Sequence, residues 1–310
     1  MRVFFLSVTA ILLSPFCLMA QGQLSGGLQL NANFYDKDDA IGTNTTHYDN
    51  ELSSVEGWLN LNYRIKGFRL ATRFDAFHNS PLFDPQEAYS EQGLGYYSLR
   101  KDIGDLTITG GYFYEQFGSG LIFRAYEDRL LGIDNAVQGL KMEYDLTDNL
   151  RVKAFTGKQK QRFSTYDAIV KGANIEKDFI LSDDVQLFSG GGIVNRTLDD
   201  QTMNSIADEI RTYQDFSTRF IPKYNVYAFS LYNQLNFKDF SWYVEYADKS
   251  HEAIRNKSGS KFINRDGYAL YSTLGFSKPG FGVNLQYRKN KTFVLKTTPY
   301  AEQLRGHINF

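Results

Sequence analysis

The chain has 310 residues, with 34 basic and 35 acidic side chains and a formal net charge of −1, which excludes the strongly basic face that nucleic-acid binding requires. Aromatic residues reach 15%, with 21 Tyr and 25 Phe, yet the mean hydropathy is −0.39, so the apolar residues must be interleaved with polar ones. A single cysteine excludes an intrachain disulfide.

Residues 1–20 read as a secretory signal peptide. One positive charge, Arg2, precedes an apolar run from Val3 to Leu13, then Pro15 and a small-residue exit at Ala20. Phe16 stands before Cys17 where lipoprotein processing needs a small side chain, so cleavage after Ala20 is expected and the cysteine leaves with the signal. Residues 21–310 then form one domain. No segment of it has the run of about 18 apolar residues that a transmembrane helix needs. A secreted β-rich domain and a transmembrane β-barrel both fit, since a barrel places apolar residues only at alternate positions.

Alternation is clear. Leu59, Leu61, Tyr63 and Ile65 oppose Trp58, Asn60, Asn62 and Arg64; Phe240, Trp242, Val244 and Tyr246 oppose Ser241, Tyr243, Glu245 and Ala247. Phe281, Val283, Leu285 and Tyr287 oppose Gly282, Asn284, Gln286 and Arg288. Strands are expected at 23–34, 53–65, 68–77, 92–102, 105–116, 135–145, 149–159, 166–176, 184–196, 223–236, 240–248, 264–276, 281–290 and 303–310. Long connections (35–52, 78–91, 117–134, 197–222, 249–263, 291–302) alternate with short ones such as Lys66-Gly67 and Lys238-Asp239. The segment from Lys160 to Asp184 breaks the rule. Brief turns at one end and long loops at the other distinguish a membrane barrel from a sandwich. The expectation is therefore an all-β, antiparallel transmembrane barrel of about fourteen strands in the bacterial outer membrane, surrounded by lipid and delivered by barrel-assembly machinery.

Candidate chemistry is sparse. His47, His78, His251 and His307 lack metal-ligand spacing, so no metal or other cofactor is expected. His78, Asp84 and Glu87 share one loop but match no hydrolytic motif, and an enzyme is not expected. Strand parity gives a candidate lumen-facing set of Arg64, Arg69, Arg73, Lys141, Glu143, Arg151, Lys153, Glu245 and Arg288, with Arg305 on the last strand. In loop 197–222, Met203, Ile206, Ala207, Ile210 and Tyr213 follow Asp199 and Asp200 at helical spacing, which points to local burial or to an envelope partner.

The stretch from Phe117 to Asn135 stands out. It breaks the strand pattern at Gly118 and Gly120, then gathers Arg124, Glu127, Asp128, Arg129 and Asp134. Leu121, Ile122 and Phe123 are unsuited to water, so the loop should fold against the barrel, its charges forming a constriction or a salt-bridged latch.

The run GSGLIFRAYEDRLLGID, preceded by YFYEQ, resembles a hallmark of an uncharacterised outer-membrane β-barrel family of Bacteroidota. The match extends from about Gln23 to the end and is close at Leu121 to Arg124 and Glu127 to Arg129; Ser119 departs from the Arg-like residue expected there. The resemblance implies a barrel and an outer-membrane address but no activity, and the greater length of its members leaves open whether the barrel is complete at Phe310. The functions expected are a channel or transporter for small polar solutes, alternatively a non-conducting subunit of a secretion or assembly complex, and last a hydrolase at the rim.

Overall fold

The computed structural model describes residues 22–36, 38, 40, 51–84, 88–301 and 305–309. The expected signal peptide, His47 and Glu87 lie outside them. No helix among these residues is long and apolar enough to cross a membrane.

In chain order the strands are β1 (Gln23–Phe34), β2 (Ser53–Ile65), β3 (Phe68–Ser80), β4 (Tyr89–Ile103) and β5 (Leu106–Phe113). Four two-residue strands follow: β6 (Glu115–Gln116), β7 (Arg124–Ala125), β8 (Glu127–Asp128) and β9 (Ile133–Asp134). Then come β10 (Val137–Thr147), β11 (Leu150–Gln161), β12 (Ser164–Ser182) and β13 (Val185–Thr197). Helix α1 (Asp200–Arg211) precedes β14 (Asn225–Phe237), β15 (Phe240–Arg255), β16 (Phe262–Lys278) and β17 (Phe281–Lys291). The long strands make one 13-stranded antiparallel meander in the order β1-β2-β3-β4-β5-β10-β11-β12-β13-β14-β15-β16-β17, and β6–β9 form two small hairpins apart from it.

Period-two alternation gives this wall two unlike faces. Leu28, Leu61, Leu99, Phe229, Leu231, Trp242 and Leu285 are exposed on the outside, as befits side chains that meet lipid. Arg73, Asp75, Lys141, Glu245 and Lys249 are buried on the inside. The sheet curls about its contents: residues of the β6–β9 region bond to Gln29 of β1, Arg73 of β3 and Glu245 of β15. This is the architecture of an antiparallel transmembrane β-barrel.

Thirteen of the fourteen expected strands are present, with ends shifted by a few residues. Tight turns lie at 66–67, 104–105, 148–149, 183–184, 238–239 and 279–280, all at one end. At Lys66-Gly67 both residues have positive φ (46° and 76°), the twist that a two-residue hairpin needs. Of the break at Lys160 to Asp184, the long part disappears, because β12 runs unbroken for 19 residues to the tight turn at 183–184, but the short part stands, since Arg162-Phe163 joins β11 to β12 as a tight turn at the loop end. At the loop end, β15 and β16 continue pairing as far as Arg255↔Phe262, so that connection is shorter than expected.

The fourteenth strand, expected at 303–310, is a correction. Residues 305–309 do not join the wall. They lie inside it, bridged to the segment after β17 through Lys296↔His307, with the Ile308 N–H on the Leu295 carbonyl at 3.0 Å. Burying Ile308 beside Phe293 and Leu295 removes its apolar surface from water without a strand position. Among the described residues β1 and β17 have one neighbour each, and both faces of β17 are exposed.

Helix α1 caps the loop end. Asp199 accepts from the Thr202 N–H at 2.8 Å, and Met203, Ile206 and Ile210 are buried. Ile206 and Ile210 pack with Ala168, Leu198, Ala253 and Phe262, so the helical stripe is used for local packing.

Leu231→Arg, at the centre of β14's outer face, should cost about 2–4 kcal/mol of folding free energy at mid-bilayer depth. Denaturant titration in lipid vesicles measures it.

Candidate functional site

The loop after β5 turns into the lumen. Glu115 pairs with Ala125 and Gln116 with Arg124, forming a short hairpin whose turn carries Phe117 to Phe123. The Gly120 N–H reaches the Phe117 carbonyl at 2.9 Å. Gly118 adopts φ +53°, and a Cβ there would sit 2.8 Å from the Glu245 carboxylate and from the Tyr232 ring. Both the backbone and the space require glycine. A second hairpin pairs Glu127 with Asp134, and its turn is held by Asp128, whose Oδ1 accepts from the Leu130 and Leu131 N–H groups at 3.1 and 3.2 Å.

The first hairpin carries a dry plug. Phe117, Leu121, Ile122 and Phe123 are at most 2% exposed and pack with Phe113, Val137, Phe155 and Val194 from the wall and with Phe293, Leu295 and Ile308 from the C-terminal segment. The ring of Phe123 lies 4.4 Å from that of Phe155. Hydrogen bonds join the two inserted segments: the Arg124 N–H donates to the Ile308 carbonyl at 2.9 Å, and the Asn309 side-chain Nδ2 donates to the Leu121 carbonyl at 2.9 Å.

Three polar contacts fasten plug to wall. In the first, the Arg73 guanidinium grips Asp75 through two bonds (2.6 and 2.8 Å) and reaches Glu127 at 2.6 Å and Asp134 at 2.7 Å. Lys160 also pairs with Asp134, Tyr114 donates to it at 2.9 Å, and Arg129 pairs with Glu127 at 2.8 Å while reaching Gln29 of β1. In the second, Glu115 lies between Lys141 (3.0 Å) and Lys153 (3.3 Å), and Glu143 and Glu176 complete the chain. In the third, Glu245 Oε2 accepts from the Ser119 N–H (2.8 Å), the Ser119 hydroxyl (2.6 Å) and the Tyr243 hydroxyl (2.7 Å). Burial alone would raise the pKa of Asp134 and of Glu115. The cations facing each outweigh it and hold both carboxyls below their ordinary value.

Five members of the lumen-facing set therefore meet in these contacts: Arg73, Lys141, Glu143, Lys153 and Glu245. Of the five loop charges, Glu127, Arg129 and Asp134 converge on or beside Arg73. Arg124 instead stacks over the Tyr126 ring at 4.3 Å, and Asp128 serves its own turn. Arg69 pairs with Asp102 and Arg151 with Asp145, both toward the tight-turn end, while Arg64 is exposed there. Arg288 lines a cavity beside the plug. Arg305 is not on a wall strand. It donates to the carbonyls of Gly132 (2.9 Å) and Leu82 (3.2 Å) and clamps the second hairpin. Of the hydrolytic candidates, His78 Nε2 lies 3.4 Å from the amide of Asn79. Asp75, Lys160, Tyr114, Glu115 and Glu176 were not among the candidate site residues, and Ser119 was noted only as a departure from the resembled family. Parity alone puts Asp75 on the face of Arg73, whereas Lys160 and Ser119 gain a role only from chain crossings.

The space left is unequal. Around Arg73, Trp58, Glu127, Arg129 and Asp134 a cavity of about 50 Å³ remains, room for a water or two. On the other side of the plug, Ser119, Leu121, Tyr271, Gln286 and Arg288 line one of about 490 Å³.

A family described as "Family of unknown function (DUF6029)" matches residues 1–310. The chain belongs to that family. An uncharacterised family is also what the sequence resemblance implied; the Bacteroidota attribution rests on that resemblance alone. The comparison with curated proteins finds no match. Among solved structures, Pseudomonas aeruginosa OprD matches with 11% identity and a TM-score of 0.44, over 91% of this chain and 72% of that one. Acinetobacter baumannii OccAB2 matches with 13% identity and a TM-score of 0.44, over 87% and 75%. A Salmonella typhi OmpF complex with daunomycin matches with 10% identity and a TM-score of 0.46, over 87% and 78%. At such identities and scores nothing about activity passes from them to this chain.

Arg73→Ala should cost about 3–5 kcal/mol, because it leaves carboxylates buried without their main counter-charge; unfolding by denaturant measures the loss. Because Asp134 and Glu115 are held below their ordinary pKa, their contribution is present above about pH 4 and is lost as pH falls through the lowered values. Trp58, 3% exposed and beside Arg129, reports this. Its fluorescence in a Trp242→Phe background should change below about pH 4 and stay constant from there to neutrality.

Proposed function

We propose that this protein is a β-barrel of the bacterial outer membrane that passes small polar solutes along one side of a folded plug. The observation that carries this reading is the off-centre position of the plug. Each of β10 to β15 packs a buried side chain against it (Val137, Phe155, Val170, Val194, Val226 and Ala247), whereas the inner face of β17 is exposed and borders the cavity of about 490 Å³. Solutes would move between Ser119 at the plug tip and Gln286 and Arg288 on the wall, where polar and basic side chains favour small anions over cations. The Arg73 cluster, with little free space, acts as the latch that keeps the plug to one side. Lipid covers the apolar outer face, and barrel-assembly machinery is the partner that would insert it.

A second reading makes the barrel a non-conducting subunit of an envelope secretion or assembly complex. The dry aromatic plug supports it. The apolar side of α1 is occupied, so a partner at loop 197–222 would meet the exposed side of the helix, where Asp208 and Arg211 pair. Neither reading assigns an enzymatic role to the loop of His78 and Asp84.

Reconstitution in planar bilayers separates the two. Discrete conductance steps are expected, and Arg288→Glu should shift selectivity several-fold toward cations. Arg129→Ala and Arg124→Ala should lower heat stability and leave selectivity unchanged if they belong to the latch. Silence in the bilayer, with co-purification of a partner after gentle extraction, favours the second reading.

A further inference from the structure

A third cavity lies at the loop end, away from the plug tip. It measures about 590 Å³ and is bounded by the ends of β13 and β15, the turn at Asn256 to Gly259, and the segment from Thr292 to Ala301. Its lining includes Arg196 and Glu252, and two buried cations share that carboxylate. Arg196 Nη2 donates to Glu252 Oε2 at 2.8 Å, and Lys249, with a fully buried side chain, pairs with Glu252 Oε1. The Arg196 side chain is 2% exposed, and its Nε and Nη1 have no partner among the described residues. Among the described residues one positive charge is thus buried without compensation, an arrangement that is costly unless an anion answers it.

The surroundings add charge of the same sign. Lys296 reaches the Ala301 carbonyl at 3.4 Å and forms no ion pair among the described residues, and Lys257 stands exposed at the rim. Arg255 is neutralised by two bonds to Glu209 (2.5 and 2.9 Å). Among the described residues, the ion pairs of this cluster are Arg196 and Lys249 with Glu252 and Arg255 with Glu209. Ala253, Val294, Pro299 and Ala301 give the cavity an apolar part of its lining, and its volume is in the usual range for small-molecule sites.

We propose that this cavity binds a small organic anion, its carboxylate or phosphate head paired with Arg196 and Lys296 and its carbon body against the apolar wall. The unpartnered Nε–H and Nη1–H groups of Arg196 point in different directions, so each can give a single bond to an anion's oxygen, and the guanidinium stays charged when buried where a lysine would lose its proton more readily. The site is separate from the path along β17, so its test reads binding and not conductance.

Isothermal titration of the full chain in detergent, with benzoate, phenyl phosphate and benzyl alcohol, tests the proposal. Saturable binding of benzoate or phenyl phosphate is expected, with benzyl alcohol silent; whichever anion binds more tightly identifies the head group. Lys296→Gln should weaken binding several-fold, and Arg196→Lys, which keeps the charge and removes the planar set of donors, about tenfold or more. Failure of both anions to bind, equal binding of benzyl alcohol, or unchanged affinity in Lys296→Gln would overturn it. Lys296 is partly exposed and has no carboxylate partner among the described residues, so its substitution decides the matter even if Arg196→Lys fails to fold.

Discussion

A guanidinium buried inside a membrane barrel must be answered on every side, and Arg73 shows how this protein does it. Asp75 comes from its own strand, while Glu127 and Asp134 come from a loop more than fifty residues later. The wall thus cannot satisfy its own buried charge. It needs the loop to enter, and the loop needs the wall to balance Glu127 and Asp134. Removing either leaves charge in a poorly solvated interior, so wall and plug are thermodynamically one unit.

The same dependence organises the apolar contents. Phe117 to Phe123 could not bury themselves in a hairpin standing alone. They are covered by Phe113, Phe155 and Val194 from the wall and by Phe293, Leu295 and Ile308 from the segment after β17. The two inserted segments then satisfy each other's backbone groups, as the Arg124 to Ile308 and Asn309 to Leu121 bonds show. An interior filled in this way is firm on the β10 to β15 side. The β17 side keeps an exposed inner face, and that asymmetry is the basis of the transport reading.

Charge balance within the interior is local. The Arg73 and Glu115 clusters combine both signs, and their carboxylates outlast the cost of burial because cations touch them. The Arg196 cluster is different, with two buried cations on Glu252. An imbalance of this kind inside an otherwise balanced structure is what marks a place for an outside ion.

Thirteen wall strands and their two faces could be read from the sequence, because side chains alternate with a period of two and lipid and lumen impose opposite preferences on the two faces. The lumen side of Arg73, Lys141, Lys153 and Glu245 followed from the same parity, and the glycines of the loop marked where the chain leaves the wall. Parity has no information about distance across a barrel. Whether Glu127 reaches Arg73 or Arg124 does, and that Ser119 meets Glu245 from 126 residues away, depend on how the sheet curls and where the loop crosses it. Residues 305–309 show the same limit: alternating Arg305, His307 and Asn309 against Gly306 and Ile308 suits a strand, yet the open space beside Leu295 gave Ile308 a better place inside. Local pattern decided which residues are apolar-out and polar-in; only the way the sheet curls around the inserted segments decided which of the inward groups are partners.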